Sequence, residues 1–207
     1  MTVKVKILDK AAIENGTKRS RDSKEDSGVT DFIGSKLLTG DAAKLMPGKR
    51  LVDVGSNIGC LVEAGRRLGL DAVGVEINRT LIDFARETYP ACKFLAAPIE
   101  EAPLNGAKFD GVYCSEVIEH VPDQDRFVAA LAALTRPGGV LFLSTPGAHE
   151  YVRGGSARAR DFGAPDHKLY HTRRSLTALL ERHGFARVHF RFSFGRGLKL
   201  YAVKGAA

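Results

Sequence analysis

The sequence has no tryptophan, two methionines and only three cysteines in 207 residues. Cys60, Cys92 and Cys114 are odd in number, widely spaced and form no C-x-x-C pair, which excludes a disulfide framework and argues against a thiolate zinc site. Long apolar runs are also missing. The longest, Phe127 to Leu134, falls far short of the roughly 18 residues that a membrane span requires. The opening MTVKVKILDK lacks the apolar core of a secretion signal, so the expectation is a cytoplasmic protein with no membrane span. Internal repeats are absent as well. What is present, 44% hydrophobic and 27% charged residues, is the composition of an ordinary globular domain, long enough to bury a core without a staple.

The net charge of +7 is unevenly placed: +2 over residues 1–28, −3 over 29–147 and +8 over 148–207. In the last third, Arg153, Arg158, Arg160, Arg173, Arg174, Arg191 and Arg196 interleave with Phe190, Phe192 and Phe194. That pattern suits an anionic partner or acceptor group, and equally a solvated basic face. Residues 9–28 are polar and aperiodic, so 1–28 is expected to be a mobile arm and 29–207 a single domain.

From Thr30 to Leu45 apolar residues recur at helical spacing, and Pro47-Gly48 ends that leading helix. The pattern then alternates. Strands are expected at 50–54, 72–76, 93–96, 109–114 and 139–144, with helices at 58–68, 79–88, 117–121 and 124–135. Such alternation predicts an α/β fold, a parallel sheet with helices on both faces. A helix at 172–183 and two strand-like runs, 186–193 and 198–204, follow. The turn-forming Phe194-Gly195-Arg196-Gly197 between those runs makes them an antiparallel pair and the sheet a mixed one.

The sharpest local signal is LVDVGSNIG at 51–59. An apolar strand ends in Asp53, and Gly55, Ser56, Asn57 and Gly59 open a helix. Glycine permits the tight turn and close approach to bare backbone, and Asn tolerates positive φ. Glu76, at the end of the next strand, is placed to hold ribose hydroxyls in a crevice at the strand carboxyl ends. Two dinucleotide features are lacking. The spacing is G-x-N-x-G rather than G-x-G-x-x-G, and Asp53 would repel a pyrophosphate. The acid points instead to a ligand with positive charge near the loop.

These residues resemble the class I S-adenosylmethionine-dependent methyltransferases, and the resemblance continues through PIEEAPL at 98–104, FDGVYCSEVIEHVPD at 109–123, RPGGVLFLSTPG at 136–147 and DHKLYHTRRSLTALLERHGF at 166–185. Within the class the chain is most similar to small-molecule enzymes that include the ubiquinone-biosynthesis O-methyltransferases. The resemblance implies a single Rossmann-like, doubly wound, seven-stranded mixed sheet in the order 3-2-1-4-5-7-6, with the last strand antiparallel. It implies S-adenosylmethionine as cofactor, with Asp53 to Gly59 around the methionine part, Glu76 on the ribose and Ile77 against the adenine. Pro98 replaces an acidic residue of the family pattern, which leaves the Ile99 backbone N–H or Glu100 for the adenine amino group. Cys114 would offer its backbone carbonyl to the methionine amine.

Glu116, Glu119 and His120 stand at i, i+3 and i+4, so a helix over 117–121 would put them on one face at the carboxyl edge of the sheet. His120, with Glu119, is the candidate general base, because an imidazole titrates near neutrality. The alternative is that Glu116 and His120 merely stabilise helix ends. His167 could join the three as a carboxylate and imidazole metal site. This resembles the metal-dependent methyltransferases that modify the 2′-hydroxyl at small-RNA 3′ ends, but the E-V-I-E-H string also occurs in metal-free members, and no metal is expected. The favoured partner is a small acceptor, anionic if the basic tail reaches it, rather than nucleic acid. A cofactor-binding regulator without turnover is the remaining alternative.

Overall fold

The computed structural model describes residue 46 and residues 48–148, 167–191 and 197–206. The expected leading helix, the arm 1–28 and most of the 146–171 segment therefore lie outside the described residues, as does most of the turn at 194–197.

Seven strands form one sheet: β1 (Arg50–Val54), β2 (Asp71–Glu76), β3 (Lys93–Ala96), β4 (Phe109–Ser115), β5 (Thr135–Thr145), β6 (Phe185–Phe190) and β7 (Leu198–Lys204). Their order is β3-β2-β1-β4-β5-β7-β6. The first five are parallel, whereas β7 runs antiparallel to both β5 and β6. The reversed strand thus lies one place inside the edge, and β6 takes the edge itself. Among the described residues four helices cross between strands: α1 (Cys60–Arg67), α2 (Arg79–Thr88), α3 (Gln124–Leu134) and α4 (Arg173–Arg182).

Side chains alternate across a strand, and this alternation divides the core. Val52, Val54, Val112, Cys114, Leu141 and Leu143 pack with Phe127, Val128 and Leu131 of α3 and Leu176 and Leu180 of α4. On the other face Leu51, Ala72 and Phe94 pack with Val62 of α1 and Ile82 and Ala85 of α2. Central strands covered on both faces are apolar almost throughout, which is why LVDV and VYC read as continuous runs.

Two expectations change. The predicted helix 117–121 is a single 3-10 turn, Ile118–His120. Glu116 before it has a left-handed backbone, φ 55°, and Val121 after it is extended (ψ 128°), as a residue preceding proline must be. The second change is β5, which starts at Thr135, earlier than its apolar core, because Thr135 already pairs with Phe109 before the register jumps to Gly111 and Val140.

Candidate active site

The carboxyl ends of β1, β2 and β4 open into a cleft of about 790 Å³, within the range of ligand-binding cavities. Its floor is the turn after β1. Gly55 and Ser56 donate their N–H groups to the Val75 carbonyl, at 2.8 and 3.1 Å, which folds the loop over the end of β2. Gly55 and Gly59 have φ of 76° and 83°, and Asn57 has 50°, the left-handed values expected of this sequence. The glycines also answer to packing. A Cβ at Gly55 would lie 2.3 Å from Val117 Cγ2, and one at Gly59 2.4 Å from the Phe94 ring.

Glu76 is aimed by backbone. Asn57 N–H donates to Glu76 Oε2 at 3.1 Å and Asn78 N–H to Oε1 at 3.0 Å. Both carboxylate oxygens are oriented from below, with lone pairs left for a diol. Asp53 is buried at the cleft floor and Ile77, 64% exposed, forms a bare apolar wall beside Glu76. Ile99 and Glu100 begin a 3-10 turn after Pro98 and line the same end. The Ile99 N–H, in the first turn, has no partner within that turn. Ser56 Oγ is buried and finds no hydrogen-bond partner among the described residues, a donor that a bound ligand can satisfy.

Three expected site residues stand apart from the cleft wall. Gly59 sits behind the loop, against Phe94. Cys114 is fully buried, its side chain turned into the α3 and α4 core with the thiol pushed upward chiefly by burial. By alternation the side chains of its neighbours Tyr113 and Ser115 line the cleft, and neither was singled out from sequence; the expectation for Cys114 concerns its backbone carbonyl, not this side chain. Glu119 is 1% exposed and lies behind His120.

The common face expected of Glu116, Glu119 and His120 does not form, because no α-helix carries them. Glu116 turns toward β5 and accepts from Ser144 Oγ at 2.8 Å. Glu119 accepts from Thr145 Oγ1 at 3.0 Å, and its Oε1 lies 3.8 Å from His120 Nε2. Burial, above all, raises the proton affinity of Glu119. His167 joins this pair: its ring meets that of His120 edge-on at 4.6 Å, and Tyr170 OH contacts its Nδ1 at 2.9 Å. Ligating atoms of Glu119, His120 and His167 all fall within 4.8 Å of one another, and Glu116 is outside the group. His120 itself, with its side chain 38% exposed, faces the cleft.

A seven-stranded sheet with one reversed strand, a glycine turn after its first strand and an acid ending its second define the S-adenosylmethionine-dependent methyltransferase fold. A family model described as a methyltransferase domain matches residues 29–189. The chain belongs to that family. Among relatives, a ubiquinone biosynthesis O-methyltransferase of Bordetella avium (strain 197N) is 37% identical over 110 residues, covering 51% of this chain and 46% of the relative. One of Xanthomonas campestris pv. campestris (strain B100) is 38% identical over 105 residues, covering 48% and 44%. The chain thus matches about half the length of these relatives. An S-adenosylmethionine-dependent methyltransferase from Clostridium acetobutylicum ATCC 824 superposes with a TM-score of 0.69 at 11% identity, covering 93% of this chain and 99% of its own. A magnesium protoporphyrin IX methyltransferase from Synechocystis PCC 6803 with bound SAM superposes at 0.63 and 20% identity, covering 92% and 91%.

Proposed function

We propose that this protein transfers a methyl group from S-adenosylmethionine to an oxygen or nitrogen of a small acceptor. The observation that carries the reading is Glu76, held at the end of β2 by the Asn57 and Asn78 N–H groups with its free lone pairs facing the cleft. Bound S-adenosylmethionine supplies an electrophilic methyl on a sulfonium. Asp53 sets a negative charge at the floor for the cationic methionine part, Glu76 accepts from the ribose hydroxyls, and Ile77 with Ile99 offers an apolar slot for a flat base.

The chain's share of the catalysis is alignment plus a proton sink. Orienting the reactants alone can be worth an effective molarity of about 10⁵ M. His120 is the group at the acceptor side able to take the acceptor's proton. Glu119 is buried behind it and acts through it, as a positioning residue rather than a catalytic one. No lysine or arginine among the described residues lines the cleft.

Calorimetry with S-adenosylmethionine tests the reading: the wild type binds, and Glu76→Ala weakens binding by about 1.5–3 kcal/mol, the range for hydrogen bonds involving a charged group. Equal affinity in both would remove the crevice assignment.

A second reading is favoured by the Glu119, His120 and His167 cluster. With Thr145 and Tyr170 bonded behind Glu119 and His167, these residues have the outer support typical of ligands. They would hold a divalent cation with open positions, which would polarise an acceptor hydroxyl. Loss of turnover in chelator, restored by Mg²⁺, Mn²⁺ or Zn²⁺, selects this version; indifference to chelator selects His120 as base.

A further inference from the structure

Among the described residues four carboxylates face the cleft, those of Asp53, Glu76, Glu100 and Glu116. Three of them surround the glycine turn and the ends of β2 and β3, where the cofactor is placed. Glu116 is not needed there: it stands at the ends of β4 and β5, on the acceptor side.

The chain holds it there against local preference. A left-handed φ of 55° is one that glycine or asparagine adopts at lower cost than glutamate. Two bonds impose it: Glu116 N–H donates to the Ser144 carbonyl at 2.9 Å, and Ser144 Oγ donates to Glu116 Oε1 at 2.8 Å. Ser144 has a single hydroxyl proton and gives it to Glu116. Ser115 Oγ is therefore the donor in its 2.7 Å contact with Ser144 Oγ. Ser115 and Ser144 are register partners on adjacent strands. Beside them burial pushes the Tyr113 hydroxyl up to about 12. This wall is built of protonated hydroxyls around one carboxylate, which still has lone pairs turned to the cleft.

Resting on the methyl-transfer reading, we infer that Glu116 determines acceptor specificity: it accepts a hydrogen bond from a hydroxyl or ammonium group of the acceptor and rejects acceptors that bring an anionic group to this end. A second negative charge within a few ångströms of it is disfavoured by like-charge repulsion.

Three probes share one ring system and differ in charge: dopamine (cationic), catechol (neutral) and 3,4-dihydroxybenzoate (anionic). Titrated at low ionic strength into protein loaded with adenosylhomocysteine, dopamine and catechol bind about tenfold or more tighter than the carboxylate, as a like charge this close requires. Glu116→Gln erases the preference. Glu116→Gly erases it too, with a Tm no lower than wild type because the backbone strain is relieved. Ser144→Ala, which frees the carboxylate to swing, narrows the preference without reversing it. The inference is overturned if the carboxylate binds as well as catechol, if the preference survives in both Glu116 variants, or if none of the probes binds the loaded protein. Failure to bind adenosylhomocysteine would overturn the methyl-transfer reading and this inference together.

Discussion

Glu63 shows how much a single residue of α1 carries. Its carboxylate accepts from Arg66 Nε at 2.7 Å, Arg67 Nε at 2.6 Å and the Cys92 thiol at 3.3 Å. The Arg66 bond, with Arg67 and Cys92 and against burial, lowers its pKa from 4.5 to about 2. A folded value below the unfolded one gives stability that is complete above the unfolded value and is lost as pH falls through the folded one. The shift corresponds to about 3 kcal/mol at most, nearer 1–2 once screening at the exposed arginines is allowed for. Glu63→Gln should lower stability by that amount at neutral pH and flatten the acid limb between pH 4.5 and about 2, read by denaturant titration across pH. At the site the sign reverses. Burial raises the proton affinity of Glu119, so its contribution is present at acid pH and lost as pH rises through its folded value. Glu119→Gln keeps an acceptor for Thr145, and it should raise Tm at neutral pH while lowering turnover. His120→Asn should lower turnover about 10²- to 10⁴-fold, the usual share of a positioned base, with unchanged S-adenosylmethionine affinity. Wild-type turnover in both variants would leave methyl transfer to alignment alone.

At the scale of elements, the joints between helices and loops decide where the turn carrying His120 sits. Thr172 caps α4 by accepting from Ser175 N–H at 3.1 Å, and Thr172 N–H in turn donates to Ser175 Oγ at 3.0 Å. His171, buried one residue before, joins Ser175 Oγ at 3.2 Å and Gln124 Oε1 at 2.7 Å. Gln124 in turn donates to the Ile118 carbonyl at 2.9 Å, so the cap of α4 is tied to the turn that carries His120. Because Gln124 Oε1 can only accept, His171 donates from Nε2, and burial lowers the pKa of this imidazole. Thr172→Ala should cost about 1 kcal/mol, as loss of an N-cap does, measured by thermal unfolding. A cost near zero would mean the His171 chain alone holds the helix start. The elements also show why one reading of the sequence failed. Helical spacing at Glu116, Glu119 and His120 was visible, but Pro122 forces Val121 out of the helix, and the Ser144 bonds pull Glu116 into left-handed geometry.

For the whole molecule, a cofactor that binds only the folded state adds stability by mass action. At about 100 times its Kd this amounts to about 2.7 kcal/mol, or roughly 5–10 °C for a domain of this size. Adenosylhomocysteine should raise Tm by that much in the wild type and by clearly less in Glu76→Ala at the same concentration. A rise that is equal in both would place the ligand elsewhere than in the crevice.

The order of strands and helices from β1 to β7, the glycine turn and the acid ending β2 were legible in the sequence, because each is a local property. Apolar runs bury on both faces of a sheet, glycine and asparagine admit positive φ, and the residue before proline leaves the helical region. What only the tertiary structure decided depends on residues far apart in the chain. Alternation in β4 turns Cys114 into the core and hands the wall to Tyr113 and Ser115. Pairing of β4 with β5 brings Ser144 to Glu116 and Thr145 to Glu119. His167, 47 residues beyond His120, meets it in a T-shaped contact. Which polar groups meet in the cleft is set by sheet register and by the loops that return over its edge, and no local pattern encodes those contacts.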